Sequence, residues 1–575
     1  MNAQEIIKNK FDNIEYKGFD ESDITTELCS IPETERSIFE NTAEWLAFQL
    51  VEGGNNEWGT YYGPFLIKTD NTCIPPKEMI TDEVLKYWEK RINEVSNPIL
   101  KARYSGLIID FKRNCNGNIR TIHIQSIIDI IEGNFPKYSI NGINKLQRAM
   151  KLAILSKKTE IIANVKKIIP EYEYKVAKDY DAGIWGRIFL LMLDNIEEFT
   201  QEEKDEYVSR LEQRLNNLTN KNIDGKGNER FDPFVIEEAV ELLAQYYNKN
   251  SDRDNLQRVL IILYDSYKKT TSQFSAMQKQ MHWEKLYRIF DNYQFKDKAK
   301  EILAELQNSS NNILGEMSKI EVPFEIPQDK FKEYIDEMTS GTKEEVLGKF
   351  IIQYIPNKED LEKQLLNISK NAPLFALCPT QLYDYKGRPI SKIGNIEYDL
   401  DGNLALHISK TLNFSAVFLH ATIQENINKK NFSKENIMHF LQDCPLFEND
   451  RQEIISRGID AYFNNDYLTM LHLLIPQIEN AVRNIVELSG HSSLKRQKNN
   501  NGFQLKTFEE LLGDDAVLSI GKDFAYYLRI VFTNQRGWNL RNLLCHGIAP
   551  MAFFNQMTAD RVFHTLICIG SLRLQ

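Results

Sequence analysis

The chain has 575 residues, 42% of them hydrophobic and 26% charged, with a formal net charge of −11. That length exceeds what a single core fills and predicts two to four domains of ordinary globular composition. The acidity excludes a general polyanion binder, although residues 451–575 carry +2 and the remainder −13.

The seven cysteines are scattered, with no CxxC spacing. This predicts thiols in a reducing, cytoplasmic setting, with no disulfide framework and no metal site. The opening residues predict no signal peptide, and no apolar run approaches the roughly 20 residues that span a bilayer. A membrane partner is therefore not expected.

In chain order, a polar opening segment precedes a helix predicted over residues 33–51. Its apolar face is Ile38, Phe39, Ala43, Leu46 and Ala47. Residues 52–80 contain Gly53-Gly54, Tyr61-Tyr62-Gly63-Pro64 and Pro75-Pro76, which predict a long ordered loop or a short β excursion. Helical periodicity then dominates. Thr81 predicts a helix start, and Asn97-Pro98 another with proline at the first helical position. Further helices are expected near 123–133, 141–156, 178–195, 201–217, 233–248, 253–268, 273–291 and 296–307. Their connectors are short enough for antiparallel hairpins, and no repeat period is present.

A break follows at Pro373, Pro379 and Pro389. Asp401-Gly402-Asn403, flanked by Asn395–Leu400 and Leu404–Ile408, predicts a β-hairpin, and Lys386-Gly387 a second turn. Strong helices are expected after it, over 414–425, 434–441, 451–463, 466–488, 520–532, 538–546 and 558–572. Pro476 should kink the long one or break it near Leu473. Residues 490–504 read as an exposed loop, and Thr507-Phe508-Glu509-Glu510 as a capping box. The predicted fold class is mainly α: an irregular helical platform, solenoid-like or a layered bundle, then a small β-hairpin insert and a C-terminal helical bundle. The expected divisions are 1–230, 231–370, 371–412 and 413–575.

The most informative stretch is Asn539-Leu540-Arg541-Asn542-Leu543-Leu544-Cys545-His546-Gly547. Arginine also closely precedes histidine at Arg120/His123 and Arg561/His564. Only at Arg541 does a polar residue follow the arginine and a glycine stop follow the histidine, as at a helix end. A guanidinium offers a planar fork of donors suited to phosphate oxygens. An imidazole takes or gives a proton near neutrality. Together they meet the needs of RNA cleavage by the substrate's own 2′-hydroxyl, without metal or cofactor. Arg541 and His546 are about 140° apart around an ideal helix, so convergence is easier where two copies meet across a two-fold axis. Lys495, Arg496, Lys498 and Lys506 either guide an RNA backbone or form a solvated loop.

With its Arg–x4–His spacing, this stretch resembles the R-x4-6-H motif of the HEPN superfamily, the higher eukaryote and prokaryote nucleotide-binding all-α domains. Residues 474–483, Leu-Ile-Pro-Gln-Ile-Glu-Asn-Ala-Val-Arg, resemble its preceding helix, as in a branch of uncharacterised proteins with a C-terminal domain of unknown function. The resemblance covers roughly residues 450–575. It implies a C-terminal HEPN-like bundle acting as a homodimeric, metal-independent endoribonuclease in toxin or phage-defence settings, with a protein or phage-derived trigger. It implies Arg541 and His546 as catalytic, Asn542 as orienting the arginine or binding phosphate, and Glu479 as the supporting acid. Arg483, one turn on, either pairs with Glu479 or reaches RNA, with Lys495 and Arg496 as further RNA contacts. The superfamily also implies an alternative, a non-catalytic dimerising or nucleotide-sensing module on a helical scaffold.

Overall fold

The structure, a computed structural model, describes residues 2–13, 18–53, 58–68, 72–136, 138–179, 183–220, 233–271, 274–321, 325–497 and 502–573. It is mainly helical, and its described strands form four separate two-stranded antiparallel pairs. Two compact units make up the chain: residues 1–274 with 286–299, and residues 275–285 with 300–575. No described helix is long and apolar enough to cross a membrane.

In the first unit the start signals act as their chemistry dictates. The Thr81 side chain accepts from the Val84 amide, and Asn97 from the Ile99 amide ahead of Pro98 at the helix start. The expected 33–51 helix is split into Glu33–Arg36 and Phe39–Gln49. The excursion over 52–80 contains two short pairings, Val51–Glu52 with Tyr62–Gly63 and Leu66–Ile67 with Cys73–Ile74. One helix that the periodicity did not predict, Thr159–Val176, carries Pro170 inside it. It buries only a narrow stripe that includes Val165, Ile168, Ile169 and Tyr172, which is why its pattern is weak.

The second unit is built around the helix Gln556–Gly570, in which every residue from Thr558 to Gly570 is buried. Such a helix must satisfy its polar groups internally. Asp560 accepts from the Tyr462 hydroxyl at 2.7 Å and lies 2.9 Å from His420 Nδ1. Arg561 donates to the Tyr354 and Leu412 carbonyls and to Ser415 Oγ. Helices Leu400–Asn428, Tyr467–Leu488, Lys343–Gln353 and Lys434–Gln442 pack around it.

Three expectations are corrected here. First, Asp401-Gly402-Asn403 is no hairpin turn but the first turn of the 29-residue helix Leu400–Asn428. Asp399 caps that helix by accepting from the Gly402 amide at 3.0 Å. Leu404, Ile408, Leu412, Leu419 and Ile423 then line its buried face at helical spacing. The expected boundary at 412/413 falls inside it. The hairpin of this region is the one turned at Lys386-Gly387, pairing Thr380–Tyr383 with Pro389–Ile393, and Gly387 adopts φ +75° there.

Second, of the two outcomes expected for Pro476, a kink or a break near Leu473, the break does not occur, because the helix runs unbroken over Tyr467–Leu488. An internal proline costs about 3 kcal/mol. Against that, Met470, Leu471, Leu474, Ile475, Ile478, Ala481, Val482, Ile485 and Val486 are all buried on this helix. At about 1.5–3 kcal/mol for each large apolar side chain, their burial outweighs the proline several times over. Third, residues 490–504 are not simply a loop, because Leu494–Arg496 pairs antiparallel with Phe503–Leu505. The expected loop residues Lys498, Asn499, Asn500 and Asn501 lie outside the described residues.

Candidate active site

The Arg–His stretch folds as a six-residue helix, Leu540–Cys545, set off by left-handed residues at both ends. Asn539 precedes it at φ +53°, and Gly547 follows at φ +66°. The end is tied by two backbone bonds, from the Gly547 amide to the Leu544 carbonyl and from the Ile548 amide to the Leu543 carbonyl. This is the Schellman arrangement that favours glycine after the last helical residue. His546 is therefore the residue at which the helix ends. Its ring is exposed, and no described side chain hydrogen-bonds to it.

Arg541 points the other way, onto the helix Tyr467–Leu488. Its Nε donates to Glu479 Oε2 at 2.8 Å and its Nη2 to Glu479 Oε1 at 3.4 Å. A third guanidinium nitrogen, Nη1, donates to Asn542 Oδ1 at 3.3 Å. Hydrogen bonding to Glu479 holds the guanidinium even more firmly charged than an ordinary arginine. Asn542 is itself fixed, its Nδ2 donating to Asn539 Oδ1 at 2.7 Å and to the Thr533 carbonyl at 3.2 Å. Glu479 also accepts from Arg483 Nη2 at 3.3 Å, and Arg483 Nη1 reaches the Lys506 carbonyl at 3.2 Å.

Four of the expected residues, Arg541, Asn542, Glu479 and Arg483, thus form one hydrogen-bonded cluster. Lys495 stands apart from it: its ammonium sits on the Glu510 carboxylate at 2.6 Å. Arg496 lies on the other face of the strand, in cross-strand register with Phe503, and is exposed. Lys506 is engaged by Asp514 at 3.1 Å.

One contributor, Asn539, had no role assigned to it from the sequence. Asn539 supplies both the left-handed entry and the acceptor that orients Asn542. Its place before an Arg-Asn pair was the available signal. Outside the cluster, His472, expected to be isolated and structural, is not isolated: its ring stacks on Phe554, with 5.4 Å between centroids and 12° between planes. Chemically, the cluster presents one positioned cation and, at the helix end, one free proton carrier. Among the described residues no group of three or more His, Cys, Asp or Glu side chains is placed to hold a metal ion. Comparison with protein-family models, with curated proteins and with solved structures returned no match for the chain.

Proposed function

We propose that this protein is a metal-independent endoribonuclease of HEPN type, acting as a homodimer in toxin or phage-defence settings. The observation that carries the reading is the short, doubly pinned helix on which an oriented Arg541 and a solvent-facing His546 both sit. In the proposed reaction the imidazole of His546 takes the proton of a ribose 2′-hydroxyl. The resulting alkoxide attacks the adjacent phosphorus, and Arg541 stabilises the charge on the phosphorane. The bond to the 5′-oxygen breaks, and that oxygen takes a proton from the imidazolium of His546 in a second copy. The products are a 2′,3′-cyclic phosphate and a 5′-hydroxyl. Asn542 holds the guanidinium in plane, and Glu479 fixes its direction.

The test is incubation of the purified full-length protein with RNA in EDTA. Cleavage lost in both Arg541→Ala and His546→Ala, with folding and dimerisation retained, is the expected result. Cleavage that persists in both variants overturns it. One observation favours the non-catalytic alternative: Glu479 accepts from Arg541 and Arg483 together, so Arg541 already has a compensating charge. A dimer that leaves RNA intact while binding nucleotides through this cluster would support that second reading.

A further inference from the structure

The first unit holds a cavity of 640 Å³ that the chemistry above does not use. One wall is a stripe of the helix Ser139–Ser156, where Asn144, Arg148 and Lys151 follow at spacings of four and three. Arg187 faces them from the helix Ile184–Asp194, and Glu52 and Tyr61 close the cavity from the short strand pairing and its approach. Three cations therefore converge on one concavity, in the part of the chain whose composition is acidic.

The charge balance inside is uneven. Arg148 is ion-paired with Asp110 and lays its guanidinium over the Tyr61 ring, 4.6 Å from the centroid. Its Nε is buried without a hydrogen-bond partner among the described residues. Glu52 is held by Lys145 at 2.8 Å, and Lys145 is held in turn by Glu21 at 2.8 Å. The floor thus sets two cations, Arg148 and Lys145, against three carboxylates, Asp110, Glu52 and Glu21. At the mouth, Lys151 and Arg187 are exposed, and neither is ion-paired with any described carboxylate. Arg187 Nη1 donates to Asn144 Oδ1 at 3.1 Å, which fixes the fork, and among the described residues no other side-chain hydrogen bond of Arg187 is present. An oriented arginine beside a free lysine recognises a phosphate. The volume lies within the range of about 300–1,000 Å³ found for small-molecule sites, much more than an inorganic phosphate fills.

We propose that this cavity binds a small organic phosphate of about mononucleotide size, with Arg187 and Lys151 on the phosphate and the organic part lodged toward Tyr61 and Asn144. The site is built from residues of the first unit and stands whether or not the Arg541 cluster cleaves RNA.

The test is isothermal titration of the full-length protein with AMP, ribose 5-phosphate, adenosine and inorganic phosphate. At least one of the two organic phosphates binds, and adenosine does not. The double variant Lys151→Ala/Arg187→Ala weakens that binding about tenfold or more, as expected for losing charge-assisted contacts. Both side chains are exposed, so the variant keeps the wild-type melting temperature. Arg541→Ala leaves the binding unchanged. The proposal is overturned if neither organic phosphate binds, if inorganic phosphate binds as tightly as they do, if the double variant binds undiminished, or if Arg541→Ala abolishes binding.

Discussion

Two Arg–His pairs in the second unit, 20 residues apart in sequence, show how differently the same two residue types can be used. Arg561 and His564 lie in the interior of the helix Gln556–Gly570, each 0% exposed. The two terminal nitrogens of Arg561 donate to the Tyr354 and Leu412 carbonyls and to Ser415 Oγ, and the Trp538 ring lies 5.7 Å from its guanidinium. His564 Nδ1 lies 2.9 Å from the Tyr527 hydroxyl, and its Nε2 3.2 Å from the Phe350 carbonyl. Burial, reinforced by the Arg561 charge, lowers the His564 imidazole to about 3. Arg541 and His546 occupy a six-residue helix at the surface instead, where one is anchored to a carboxylate and the other faces solvent. The first pair is part of what holds the core together. The second sits at the surface, with Arg541 held by Glu479 and the His546 ring exposed.

The sharpest way to break this comparison is to remove one arginine from each pair. Arg561→Ala leaves a cavity and unsatisfied carbonyls in the core, and a loss of about 3–5 kcal/mol is expected in urea unfolding. Arg541→Ala should shift stability by no more than about 1 kcal/mol. A comparable loss in both variants would erase the distinction. If the proposed reaction holds, His546→Ala lowers RNA cleavage by about 10²–10⁴-fold in a single-turnover gel assay, while its melting temperature stays that of the wild type.

A third contrast is in pH. His564 is neutral when folded and titrates near its ordinary 6.5 when unfolded, so its contribution is fully present above pH 6.5. It is lost as pH falls from there toward about 3. His123 in the first unit follows the same course: burial, then the charges of Arg148 and Lys145, bring it down to about 3. Each adds about 1.4 kcal/mol of destabilisation per pH unit in that window. Substituting His564→Gln should flatten the slope of melting temperature against pH below 6.5. Glu479→Gln should cost about as little as Arg541→Ala, at most about 1 kcal/mol in urea unfolding, because the partly buried pair with Arg541 loses its charge. A loss well beyond that would make Glu479 chiefly a structural residue.

Much of the helical fold was legible because caps and periodicity agreed at particular places. Thr81, Asn97-Pro98 and the Thr507/Glu510 box all start helices where their side chains can meet free amides. Gly547 ends one for the reason its lack of a side chain suggests. Misreadings arose where a local turn signature competed with long-range packing. Asp401-Gly402-Asn403 suits a hairpin in isolation, but Asp399 and twenty-odd residues of apolar periodicity make it helical. Pro476 suits a break until the buried face around it is counted. Of the site, the clustering of Glu479 and Arg483 with Arg541 follows from i,i+4 spacing and from the packing of two helices. The separation of Lys495 does not, because nothing local in the sequence says that Glu510 will take its charge.

The helix Leu540–Cys545 has a further consequence. Left-handed residues fix both of its ends, so its course is set by main-chain geometry more than by the side chains it displays. It behaves as a socket in which Arg541 and His546 are exchangeable fittings. The vulnerable position is then Gly547: a methyl group there would touch nothing within 4 Å, yet it would strain the turn that aims the imidazole.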